Sequence, residues 1–166
     1  ALLQQLQWLE PRHLELATVP AHVKFWSRAI ACVRDLENNL THRAPKAKMG
    51  CITECVKWLA KISQLNGANS GMDADTCISS LTYVIVKAQP QYLPSNLFYV
   101  STFRHEKRLN GEDGYCLLQF DLALKFISEQ LSTMQDEKKL AAGESIRSTM
   151  TGGMTIQRVM NHPAIG

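Results

Sequence analysis

The chain has 166 residues, 45% of them apolar and 20% charged, which fits about one globular domain and excludes a disordered chain. Its net charge of +3 comes from interspersed charges, too weak a basic balance for a nucleic-acid binder. Five cysteines, an odd number without a CxxC pair, exclude a disulfide frame or thiolate metal site and read as buried reduced thiols.

In chain order, Leu2, Leu3, Leu6 and Leu9 recur at helical spacing until Pro11, and residues 1–10 read as the end of a preceding helical element. The chain begins at Ala1 inside this pattern, as expected for a piece of a larger multidomain protein. Val19-Pro20 starts a long helix. Its apolar stripe is Val23, Trp26, Ile30, Val33, Leu36 and Leu40. A polar link from Arg43 to Lys48 follows, with Arg43, Lys46 and Lys48 expected in solvent. Pro45 suits the first turn of a helix carrying Met49, Ile52, Val56, Leu59 and Ile62 on one face. Cys51 and Cys55 are four apart, hence on one side of that helix. Asn66 to Asp73 is a loop by composition.

The next run, Leu81 to Val86, is β-branched and taken alone reads as a strand. No second strand candidate exists to pair with it, and unpaired backbone groups are costly. Asp73 and Asp75 before it suit a helix start, where the dipole is positive. A buried central helix from about Ala74 to Gln89 is therefore expected. Pro94-Ser95 begins a short helix through Phe103, and a charged loop from Arg104 to Gly111 leads to a final helix. There Leu117, Phe120, Leu124, Ile127, Leu131 and Met134 keep helical spacing. Past Leu140 the composition turns to Gly, Ser, Thr and Met. The expected fold is all-α, a layered helical domain of about six helices over 1–140, with a less ordered C-terminal extension over 141–166.

Catalytic templates are absent: there is no GxSxG elbow and no GxxxxGK[ST] loop. His13, His22, His42, His105 and His162 are scattered singly. No metal site and no cofactor are expected. No apolar run approaches the ~18 residues of a membrane span, so direct membrane insertion is not expected.

Two linked segments carry more. ADTCISSLTYVIVKAQP (Ala74 to Pro90), then Pro94-Ser95-Asn96-Leu97 with Tyr99, and then Gly111-Glu112-Asp113-Gly114-Tyr115 together resemble the vacuolar-protein-sorting nine (Vps nine) domain. The resemblance covers roughly residues 6–130 and includes LEPRHLEL (Leu9 to Leu16) and RAPKAKMGCITECVKWL (Arg43 to Leu59). It implies a guanine nucleotide exchange factor for a Rab-five-class endosomal GTPase, recognised in its nucleotide-free or GDP form. Such a protein is no enzyme of covalent chemistry, and works as a monomer, cytoplasmic and peripheral on early endosomes. The family's acidic residue matches Asp75 and its partner-facing tyrosine matches Tyr115; Ile78, Ser79, Glu112 and Leu118 fall beside them as partner-binding positions. Read from the residues alone, Asp75 is in the first place a helix cap, and the alternative for Tyr115 is a half-buried helix tyrosine. Ser79 stands where the family commonly has proline, and Leu118 where it often has a polar residue. These departures imply altered partner preference or weaker exchange. The alternatives are a Rab-binding module without exchange, or a helical adaptor docking through Leu2 to Leu9.

Overall fold

The computed structural model describes residues 2–16, 22–67, 71–131 and 133. The chain divides into two units, Ala1–Ser132 and Thr133–Gly166, and the fold below is that of the first. Helix α1 (Leu2–Gln5) is followed by a 3-10 turn at Pro11–Leu14, then α2 (Val23–Leu36), α3 (Pro45–Leu65), α4 (Ala74–Ala88), α5 (Leu93–Phe103) and α6 (Glu112–Phe126). The last runs on into a π-helical turn, Ile127–Leu131. No strand occurs among the described residues, so the all-α expectation holds.

Helix α4 is central: it touches α2, α3 and α6 as well as the 3-10 turn. Cys77, Ser80, Leu81, Thr82, Val84, Ile85, Val86 and Ala88 are all buried. Burial on several sides outweighs the strand preference of its β-branched run. Local signals agree: Asp73 caps the start, Gln89 closes the end in the left-handed conformation (φ 55°), and Pro90 prevents continuation.

Helix α3 presents Met49, Ile52, Val56, Leu59 and Ile62 to the core, together with Cys51 and Cys55. Ala44 is extended (ψ 145°), as the residue before proline prefers, and this starts the helix at Pro45. In α2, Trp26, Ala29, Val33 and Leu36 are buried, but the expected stripe fails at both ends. Val23 is exposed, and Leu40 lies beyond the helix, 96% exposed. The reason is Asn38, whose side chain accepts the amide of Leu40 at 3.1 Å and diverts the chain from the helix. Residues 17–21, the expected helix start at Val19-Pro20, and residues from Met134 onward, including the 141–166 extension, lie outside the described residues.

Two further expectations are corrected. Lys48 is not in solvent: it is 3% exposed, and its Nζ donates to the carbonyl of Leu36 (2.6 Å) and to Asn39 Oδ1 (3.0 Å). A cation at a helix C-terminus meets orphan carbonyls and the negative dipole end, an interaction that a local reading of charges misses. Second, in the Leu2 to Leu9 segment Leu6 and Leu9 are fully buried within their own fold and present no apolar surface to an outside partner. Lys87 Nζ holds the Gln7 carbonyl at 2.8 Å and Gln89 Nε2 the Leu3 carbonyl at 2.6 Å. This argues against the adaptor reading.

The α4–α5 connection is fixed by Glu37, just past α2, whose carboxylate accepts the amides of Gln91 (2.9 Å) and Tyr92. Glu37→Ala gives up two charge-assisted hydrogen bonds to exposed amides that water then takes over. The expected loss is about 1–3 kcal/mol, seen as a lower urea midpoint with an unchanged slope.

Candidate functional site

The first turns of α4 and α6 come from packed neighbours and carry the residues singled out by sequence. At α4, Asp73 is the cap: its carboxylate accepts the Thr76 amide at 2.8 Å and the Thr76 hydroxyl at 2.7 Å. These bonds hold its pKa below the usual carboxylate range. Asp75 is therefore not the cap. It lies in the first helical turn, exposed, and its side chain makes no hydrogen bond or ion pair among the described residues. Ile78 and Ser79, three and four residues on, share its side of the helix and are half-buried.

Helix α6 opens on two glycines with separate reasons. Gly111 adopts φ 92°, ψ −140°, a backbone region open essentially to glycine. Gly114 is helical, but a β-carbon there would stand 1.7 Å from the Leu109 carbonyl oxygen. The glycine lets the preceding loop lie directly against the first turn. Arg104 at the end of α5 pairs with Asp113, tying the other end of the same loop. Both side chains are largely shielded, which makes this pair more consequential than a surface one. Glu112 is exposed and forms a loose ion pair with Lys57 of α3 at 3.7 Å.

Tyr115 is 45% exposed and Leu118 is 53% exposed. At a spacing of three they form one apolar surface on α6. Desolvation raises the Tyr115 pKa, with further contributions from the thiols of Cys77 and Cys116 and the carboxylate of Asp73. The phenol of α6 thus feels the groups at the start of α4. Asp75, Tyr115 and Leu118 are exposed at the surface of these two helices, with Ile78 and Ser79 half-buried beside Asp75. Sequence reading placed Asp73 at the helix start without singling it out as the cap, and missed Lys57 as the companion of Glu112, the Arg104–Asp113 tie and the steric role of Gly114. Only Asp73 and Gly114 had a local signal, the acid ahead of the α4 run and the glycine inside GEDGY.

Among the described residues, no three His, Cys, Asp or Glu side chains are grouped to hold a metal ion, and no helix is long and apolar enough to cross a membrane. Burial raises every cysteine: Cys32 and Cys116 to about 11, Cys77 to about 12, and Cys51 and Cys55 upward as well. Unfolded thiols titrate lower, near 9.0, so above that pH the unfolded state releases protons that the folded state keeps. The thiols' contribution to stability is therefore expected to be constant through neutral pH and to fall from about 9 to about 12. Urea midpoints across that window check it, and replacing Cys77 with alanine should flatten the fall.

The model of the vacuolar sorting protein 9 (VPS9) domain family matches residues 26–131. The Rab5 GDP/GTP exchange factor of Homo sapiens is 27% identical over 128 residues, covering 76% of this chain and 26% of that protein. Vacuolar protein sorting-associated protein 9A of Arabidopsis thaliana is 28% identical over 152 residues, 88% of this chain and 29% of that protein. GTPase-activating protein and VPS9 domain-containing protein 1 of Xenopus laevis is 30% identical over 127 residues, 76% of this chain and 8% of that protein. The chain thus spans less than a third of the length of each of these relatives.

Proposed function

The chain belongs to the vacuolar sorting protein 9 domain family, and we propose that it releases GDP from a Rab-five-class GTPase of the endosomal system. One observation carries this reading. Asp75 is exposed and unengaged while the neighbouring Asp73 does the capping, and a carboxylate kept free of structural work is free for a partner.

The GTPase holds GDP largely through contacts to its phosphates, a phosphate-loop lysine among them. A carboxylate offered to that lysine replaces the charge of the departing phosphate and stabilises the empty state. Coupling between two ligands of one protein is reciprocal. Tight binding to the empty GTPase must therefore weaken nucleotide binding by the same factor. Tyr115 supplies an aromatic anchor with a polar tip, a residue type suited to interface centres, and Leu118 extends its apolar area. No bond in the nucleotide is made or broken, so the protein is a catalyst of exchange without covalent chemistry. It would act from the cytoplasm, peripherally at early endosomes, as part of a larger protein. A second reading, Rab binding without exchange, draws on Ser79 and Leu118, which change the polarity of this face.

Release of fluorescent GDP from a panel of Rab GTPases, with excess unlabelled nucleotide, tests both. Acceleration for Rab-five-class members supports exchange. Binding to the empty GTPase without acceleration supports the second reading, and neither result on any member overturns both.

A further inference from the structure

Among the described residues, Lys48 is the only lysine, arginine, aspartate or glutamate that is buried. Its two acceptors, the Leu36 carbonyl and the Asn39 amide oxygen, are neutral, and no carboxylate lies within ion-pair distance. Burial lowers the Lys48 pKa, and Cys51 and then Glu37 oppose that through space, but the Glu37 carboxylate already accepts the amides of Gln91 and Tyr92. A buried cation is costly unless an anion offsets it, and half a charge at a helix end does so only in part. An ammonium has three donors, and two of them are accounted for.

Lys48 borders an open cleft of about 620 Å³ whose other walls are Asn39, Arg43, Asn96 and Tyr99. Arg43 is exposed and takes part in no ion pair among the described residues. Asn96 uses its amide nitrogen on the Tyr92 carbonyl at 3.0 Å, which leaves it a second hydrogen to donate. No acidic side chain lines the cleft. Two cations, two amides and a phenol around one space present more donors than a carboxylate can satisfy. They suit a group with three charged terminal oxygens, on which a guanidinium binds through two parallel hydrogen bonds.

We propose that the cleft between the α2–α3 turn and α5 binds a phosphate group, held by Arg43 and Lys48 with Asn39, Asn96 and Tyr99 around it. The site lies on residues other than those of the α4–α6 face and does not rest on the exchange reading. The phosphate comes either from a lipid headgroup or from a soluble ion, and these are separable.

Inorganic phosphate is titrated against the protein with amide and side-chain resonances followed, beside a sodium chloride series of matched ionic strength. In parallel, the protein is sedimented with phosphatidylcholine vesicles with and without phosphatidylinositol phosphate. Saturable shifts confined to Asn39, Arg43, Asn96 and Tyr99, absent with chloride, are the expected result. Arg43→Gln should weaken them about ten- to a hundredfold with unchanged thermal unfolding, because Arg43 is exposed and supports nothing in the fold. Sedimentation that requires the phosphoinositide and is reversed by free phosphate makes the source a headgroup. Shifts without sedimentation make it a soluble phosphate. Absence of saturable shifts at the cleft together with absence of phosphoinositide-dependent sedimentation overturns the proposal, as do responses equal in Arg43→Gln.

Discussion

Gly114→Ala is expected to destabilise the domain by about 1–3 kcal/mol or more, although alanine is the better helix former. The added carbon would meet the Leu109 carbonyl oxygen at 1.7 Å, and that oxygen is backbone, with no flexible side-chain end to swing away. Relief requires the loop before α6 to lift from its first turn, against the Arg104–Asp113 tie. Inserting a carbon where none fits typically costs this much. Gly50 provides the control on the same chain. It lies exposed within α3, a β-carbon there meets nothing within 4 Å, and Gly50→Ala is expected to stabilise by about 0.4–1 kcal/mol. Urea unfolding of both variants should therefore move in opposite directions. A Gly114→Ala protein as stable as the parent would mean that the close approach is not part of the fold.

Helix identity was legible because burial leaves a period in the sequence. All five residues expected on the α3 face are buried. Reading α4 as a helix from sequence depends on a negative argument, the lack of a partner strand, and the packing of three helices around it supplies the positive one. Where reading failed, the deciding interaction was non-local or purely conformational. Lys48 looks like its neighbours Arg43 and Lys46 until α2 is known to end beside it. Leu40 continues an apolar spacing perfectly well, yet Asn38 turns the chain first. Of the two acids at the start of α4, either has the composition of a cap. Only the extended backbone of Asp73 (φ −70°, ψ 162°) gives it the geometry to accept the Thr76 amide. The site shows the same division: the motif located Asp75, Tyr115 and Leu118 on exposed positions, while Asp73, Arg104 and Leu109, which meet the motif residues and hold these helix starts in place, lie outside it.

Asp75→Ala is expected to slow GDP release from the partner Rab by about 10- to 150-fold while leaving thermal unfolding close to that of the parent. The magnitude is that of one charge-assisted contact, desolvated in the complex and made only in the nucleotide-releasing state. The unchanged stability follows from the division of labour at the start of α4: Asp75 makes no bond that folding would lose, because Asp73 accepts from Thr76. Asp73→Ala is the complementary variant. It removes the cap, so its unfolding midpoint should fall. Its exchange rate should change far less, provided that the assay temperature keeps the helix start folded. Asp75→Asn sharpens the comparison, since it keeps the shape and removes the charge offered to the lysine; it should be nearly as slow as Asp75→Ala. The decisive pattern is a crossing: one aspartate moves the rate, and the other, two residues away, moves the stability. If Asp75→Ala and Asp75→Asn both release GDP at the parent rate, the carboxylate has no part in exchange, and Asp75 loses the role proposed for it.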